Sequence, residues 1–331
     1  MIVEKGKRVR FLENEEILLP KPKKAKLRPN SASSHPLGIL ASGNFFLHPK
    51  SHNIRPSSLG NLHFLSDTLL ISILSTLGPS SLLTLSCTSK ALLAFTYHES
   101  LWKDLFVDKA NGVMGRWDGS WRRTYLCTFG TWPGQHIQTI ISISGLYSDV
   151  LFQPYLCAQS NLNRFFDPKH IKSRLNLLRH SHSSLDNQLF ASLYARPSRP
   201  IIITGAMNDW KSFKNDLWTL ESLIERFGDI PFRAEAFDMP IRVYKSYVDN
   251  CKNEDSPLYI FDCRFVEKTR GEMGEEFAPL KLFGDDLFRL LGPDRPNYRW
   301  LVSSSILSLI WPDDWGGYID SWTYPHWLHI P

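Results

Sequence analysis

The chain has 331 residues, of which 43% are hydrophobic and 13% aromatic, enough apolar material for about two domains of ~150 residues each. Its net charge of +5 is unevenly spread. Residues 1–55 hold eleven Lys/Arg against four Glu and the remainder is −2, which argues against a nucleic-acid groove in the body, since such a surface neutralises several phosphates. Five scattered cysteines (Cys87, Cys127, Cys157, Cys251, Cys263) form no C-x-x-C pair, which argues against a disulfide framework or zinc site and for a reducing compartment.

In chain order, residues 1–55 are rich in Lys, Pro, Ser, Asn and His and lack a sustained apolar period, so a disordered basic arm is expected. Its first eleven residues lack the apolar run of a signal peptide. Lys21, Lys23, Lys24, Lys26 and Arg28 resemble a basic nuclear-import signal, which points to the nucleus, with the cytoplasm as alternative. The plainer reading of the same residues is a solvated charge run.

From Leu59 the pattern turns helical. Leu69, Leu70, Ile73, Leu74 and Leu77 fall on one side of a 3.6-residue period. Gly78-Pro79 ends that helix and Ser80 or Ser81 is a candidate cap for the next, which presents Leu82, Leu83, Leu85, Ala91, Leu92 and Phe95. A third piece after Glu99 carries Leu101, Trp102, Leu105 and Phe106. Three short helices make a marginal core, of the kind completed by a partner or a flanking domain.

Residues 116–155 are rich in Trp, Gly and Thr and are expected to be a connector plus a strand over 137–143. The apolar stretch 137–157 is broken by Gly145, Asp149 and Pro154, so no membrane span is expected. Further on, 200–205 predicts a buried strand. Residues 218–227 predict a helix capped by Thr219, with Leu220, Leu223, Ile224 and Phe227 inward and Gly228 as its stop. Strands are expected over 231–237, 257–263 and 298–302, and a helix over 282–291. Elements mixed in this order imply an α+β fold.

The helical segment resembles the F-box family. Leu62, Leu65-Ser66-Asp67, Leu69-Leu70, Ile73-Leu74, Leu77, Leu82-Leu83, Leu85-Ser86, Ser89-Lys90 and Leu101-Trp102 carry the likeness, and Ser66 departs from it by replacing the common Pro. The resemblance implies docking to a Skp-type adaptor of a cullin–RING ligase. The residues expected to dock are Leu65, Leu69, Leu70, Ile73, Leu74, Leu77, Leu82, Leu85 and Trp102. The alternative is an ordinary helical cap on the next domain.

The second region resembles the start of a JmjC (cupin-like) domain of the phosphatidylserine-receptor-like kind. The likeness rests on 199–205, Asp209-Trp210, Trp218-Thr219-Leu220 with Phe227-Gly228, and 256–262, together with 285–288 and 295–300. Fungal-type proteins that join an F-box to such a domain carry a linker similar to 119–125. The resemblance implies Fe(II)- and 2-oxoglutarate-dependent hydroxylation or demethylation of proteins. Such a site takes two His and a carboxylate, the first pair as His-x-Asp/Glu on one face of a strand. None of the eleven histidines is followed two places later by Asp or Glu. His326 and His329 lie between Pro325 and Pro331, and their spacing reads as chance. Asp238, Asp262, Asp285 and Asp286 read as turn and cap residues rather than catalytic acids.

Residues 303–331 contain four Trp and three Asp but no Lys, Arg or Glu, an abrupt change that is expected to reflect retained intron or a shifted frame. The organisation expected is a basic arm at 1–55, an F-box at 56–108, a connector at 109–195, a partial JmjC-like domain at 196–302 and a Trp-rich tail at 303–331. In fold class this is α+β: a small three-helix F-box followed by the incomplete N-terminal part of a JmjC/cupin jelly roll. An open barrel leaves an unpaired edge, so a weakly stable C-terminal half is expected. No catalytic residue, metal ligand or cofactor is assigned to this chain. The expected function is an adaptor-binding interaction protein, with no membrane partner and an unknown recruited protein. The alternative is an Fe(II)/2-oxoglutarate hydroxylase or demethylase whose active form is a longer isoform.

Overall fold

The computed structural model describes residues 35–47, 52–130, 141–159, 177–251, 254–283, 291–292 and 301–303. The import-signal residues Lys21, Lys23, Lys24, Lys26 and Arg28 lie outside them. So do Asp285, Asp286, His326 and His329, most of the helix expected over 282–291, and residues 304–331. Helices lead and a small sheet follows, so the fold is α+β. Among the described residues no helix is long and apolar enough to cross a membrane.

Helices α1 (Ser42–Leu47) and α2 (Arg55–Leu59) precede α3 (Asp67–Leu74), α4 (Pro79–Ser86), α5 (Lys90–Thr96) and α6 (Glu99–Ala110). Ser66 is the N-cap of α3, its hydroxyl accepting from Leu69 N at 3.2 Å. The residue that replaces the usual proline therefore satisfies an orphan amide instead. The second expected helix is two. Ser89 opens α5 by accepting from Leu92 N, and Gly78, not Ser80 or Ser81, sits at the N-cap of α4. Arg55 pins the start of α3 by pairing with Asp67 and donating to the carbonyls of His63 and Leu65.

The arm expected to be disordered to residue 55 is ordered over 35–47 and 52–55. Leu37 and Ile39 are buried, Ile143 N donates to Leu37 O, Ser148 N to Leu40 O, and Ile54 N to Gly145 O. Their partners lie about a hundred residues away, so local composition misses them. The connector is also more helical than expected. Ser120 caps α7 (Trp121–Phe129), and α8 (Asp149–Gln159) follows with Pro154 inside it. Most of the strand expected over 137–143 lies outside the described residues.

In the second region β1 (Leu178–Ser181) pairs in parallel with β2 (Ile201–Thr204). β2 is half-buried to exposed rather than buried. After two short helices, α9 (Asn187–Phe190) and α10 (Lys211–Lys214), α11 (Leu220–Phe227) starts where Thr219 accepts from Ser222 N, and it buries Leu223 and Phe227. The single strand expected over 231–237 is a hairpin. β3 (Pro231–Ala234) turns through Glu235 (φ 48°) into β4 (Phe237–Pro240). Next comes a helix that the sequence reading missed, α12 (Ile241–Asn250), with Ile241, Tyr244, Tyr247 and Val248 buried. β5 (Ile260–Asp262), α13 (Phe265–Lys268) and β6 (Leu301–Ser303) complete a sheet in the order β4-β3-β5-β6 among the described residues. Ser303, expected to begin the tail, pairs with Ile260.

One apolar cluster runs from Leu37 to Met273 without a break between the helices and the sheet. Phe106 of α6 meets Phe237 of β4 at 5.5 Å between ring centroids, and Trp121 meets the same ring at 5.8 Å. The backbone joins too: Met114 N donates to Asp238 O and Asp238 N to Gly112 O. The helical module is thereby locked to the edge of β4.

Candidate functional site

Successive residues of a helix point roughly 100° apart, so the paired apolar residues of α3 divide. Leu70 and Leu74 are buried, whereas Leu69 and Ile73, one turn apart on one face, are 47% and 45% exposed. The 3₁₀ turn before α3, Gly60–Phe64, adds Leu62 at 44% and Phe64 at 82% exposure. Burial divides the nine residues expected from sequence to dock. Leu70, Leu74, Leu82 and Trp102 are no more than 4% exposed and form the module's own core. Trp102 Nε1 even donates to Thr96 O inside that core. Leu65, Leu77 and Leu85 are partly buried against the core. Leu69 and Ile73 alone of the nine stand well clear of it. Phe64, the most exposed of these side chains, is not among the nine because it is a lone aromatic in a turn, outside any helical period.

In the sheet region the acids are structural. Buried Asp262 accepts from Arg233 N, Arg264 N and Lys268 Nζ, each at 2.7 Å, and Asp238 takes a second contact from Lys268. Buried Glu276 holds Arg226 and Trp218 Nε1, and Arg226 also reaches Glu272 at 2.8 Å. Among the described residues no three His, Cys, Asp or Glu converge to hold a metal ion. No step through iron is derived.

The strongest electrostatic perturbations lie where the module meets the second region. Glu99, in the first turn of α6, accepts from Trp121 N at 2.6 Å. Burial, seconded by the charge of Glu254, pushes its carboxyl up to about 7. Glu254 is raised by burial in the same way, while it accepts from Tyr247 Oη. His35 behaves oppositely: burial, then His98, lowers it to about 4, and its Nδ1 accepts from Leu37 N. His98 is also lowered, chiefly by burial.

These shifts make opposed contributions to stability. With Glu99 raised from 4.5 to about 7, the folded chain binds the extra proton in that window, so stability falls as pH rises through it. With His35 depressed from 6.5 to about 4, the unfolded chain binds the extra proton, so stability falls as pH drops from 6.5 to 4. Because Glu254 and His98 add slopes of the same two signs, the test is the change relative to wild type. Urea unfolding of His35→Gln is expected to make stability fall more, or rise less, from pH 4.5 to 7 than in wild type, and Glu99→Gln the reverse. Changes of one sign in both variants would contradict the assignment.

Residues 67–108, from the first residue of α3 into α6, match the F-box-like family. Over 275 residues the chain is 32% identical to the arginine-specific demethylase JMJ22 of Arabidopsis thaliana, covering 82% of this chain and 52% of that protein. It is 29% identical over 256 residues to the lysine-specific demethylase JMJ21 of the same plant, covering 75% of this chain and 26% of that one. A Caenorhabditis elegans bifunctional arginine demethylase and lysyl-hydroxylase, psr-1, is 34% identical over 128 residues, 36% of this chain and 31% of the relative. The chain carries an F-box-like domain and is homologous to JmjC demethylases. It spans about half the length of the first of these relatives and less of the others. The F-box-like match contains Leu69 and Ile73, and Leu62 and Phe64 stand just before it.

Proposed function

We propose that the chain is an F-box protein that binds a Skp-type adaptor of a cullin–RING ligase through Leu62, Phe64, Leu69 and Ile73. One observation carries this reading: within residues 62–73 four large apolar side chains are exposed while Leu70 beside them is buried. Four such side chains exposed within twelve residues form a patch of the kind that marks a protein-binding surface. Helical anchors of this type dock in an apolar groove.

The test is capture of a recombinant Skp-type adaptor by the full chain. Leu69→Asp combined with Ile73→Asp is expected to weaken capture by about 30-fold or more, the loss of an interface hot spot worth ~2 kcal/mol, with an unchanged thermal midpoint. Capture equal to wild type would overturn the proposal. Substitutions at Leu74 do not discriminate, because its side chain is buried in the module's own core and its loss unfolds the module.

A second reading is Fe(II)- and 2-oxoglutarate-dependent oxidation of protein side chains, as expected of a JmjC protein. The observation that favours it is the 82% of the chain that aligns with a relative named as an arginine-specific demethylase. Turnover of 2-oxoglutarate by the 331-residue chain with added Fe(II) separates the two readings.

A further inference from the structure

A cleft of about 300 Å³ opens where five stretches of chain converge: the start at His35, the α5–α6 junction, the turn into α7, α8, and the end of α12. It is distinct from the exposed ridge on α3. Two carboxylates, Glu99 and Glu254, form part of its wall. Their hydrogen bonds come from neutral donors, Trp121 N to Glu99 and Tyr247 Oη to Glu254. The Arg122 backbone also donates to Glu99 and the Trp121 indole to Glu254, both neutral donors, while the Arg122 guanidinium and the Lys103 ammonium act only as charges at longer range. Partly burying two carboxylates on neutral donors is costly, and the charge of Glu254 raises the cost of ionising Glu99.

The rest of the lining narrows the chemistry. Tyr97 and Tyr155 present aromatic rings, burial disfavours the charged form of His35 and of His98, and Arg123 is the cation on the lining. An anion would meet two carboxylates. A neutral apolar body would strip their remaining water and return no hydrogen bond. A metal ion needs three converging donors, and among the described residues no such group exists. An organic cation meets every demand, donating charge-assisted hydrogen bonds to carboxylates and resting on ring faces. The protein already uses one of these rings so: the Arg122 guanidinium lies 4.4 Å from the Tyr97 centroid. A volume of 300 Å³ is at the small end of ligand sites and suits one side-chain-sized group.

We propose that this cleft binds an organic cation, a guanidinium or primary ammonium group, held between Glu99 and Glu254. The site is built jointly by the F-box-like match, which supplies Ala94, Tyr97, His98 and Glu99, and by stretches before and after it, so the match does not create it alone. It does not depend on adaptor docking.

The test titrates the full chain with N-acetyl-arginine amide, N-acetyl-lysine amide and the neutral isostere N-acetyl-citrulline amide, following the Trp121 amide resonance. A saturable shift with the arginine or lysine compound is expected, and whichever binds tighter names the cation. Citrulline amide should bind about tenfold more weakly or worse, since it offers similar shape without charge. Glu99→Gln and Glu254→Gln keep an acceptor oxygen for Trp121 N and Tyr247 Oη, and each should weaken binding about tenfold. The citrulline comparison uses the wild-type chain, so it decides the matter even if a variant folds poorly. Equal binding of citrulline amide, binding unmoved in both Gln variants, or no saturable shift up to about 10 mM ligand would each overturn the proposal.

Discussion

Truncating Phe237 to Ala is expected to lower the unfolding free energy by about 3–5 kcal/mol, and to do so for the F-box helices as well as the sheet. The ring is fully buried on β4 and packs on Phe106 of α6 and Trp121 of α7. Its neighbours have little freedom to fill the space. Trp121 is already set against Trp117 at 5.2 Å, and Trp117 against Tyr247 at 4.9 Å. The backbone bonds of Met114 and Asp238 hold the two sides at fixed separation, so the cavity stays open and its cost is not relaxed away. Urea unfolding followed by far-ultraviolet and near-ultraviolet circular dichroism checks this. Both signals should move together to a lower midpoint at unchanged slope. A helical signal that keeps its wild-type midpoint while the aromatic signal shifts would show two independent folding units.

Asp262→Ala should cost a similar amount, about 3–5 kcal/mol, because removing one partner of a buried pair leaves the other charge uncompensated. Two backbone amides, Arg233 N and Arg264 N, lose their acceptor with it. Lys268 keeps a weaker contact to Asp238 at 3.3 Å, which places the loss toward the lower end of that range. The double variant Asp262→Ala/Lys268→Met provides the decisive comparison. If the stranded ammonium is the main penalty, adding Lys268→Met recovers part of the stability, a coupling that a double-mutant cycle reads directly. Strict additivity of the two single changes would locate the cost in the amides instead.

Much of the helical architecture was legible because it is local. Thr219 three residues before Ser222, with Leu223 and Phe227 a turn apart, names both the start and the inner face of α11, since capping and period act within one or two turns. The apolar pattern of residues 62–102 marked the F-box for the same reason. Which apolar side chains stay exposed was less legible. Leu69-Leu70 and Ile73-Leu74 are adjacent apolar pairs, and the period alone does not say which member faces in. The helix Ile241–Asn250 had a usable signal, Ile241, Tyr244, Tyr247 and Val248, obscured by its short distance from the preceding hairpin. Helix Trp121–Phe129 was hidden by a composition rich in Trp and Thr, yet Ser120 stood at its cap.

Nothing local announces that Leu37 accepts from Ile143, that Phe106 meets Phe237, or that Glu99 and Glu254 share a cleft. Each joins residues roughly a hundred or more positions apart. Whether such groups meet depends on which buried faces pack together, not on any spacing along the chain. Capping hydroxyls and helical periods settle the elements and the α+β class from neighbours alone. The choice between Leu69 outward and Leu70 inward, and the assembly of a cleft from five separate stretches, belong to the packed fold. There burial of apolar area is shared between distant segments, and it decides which groups water still reaches.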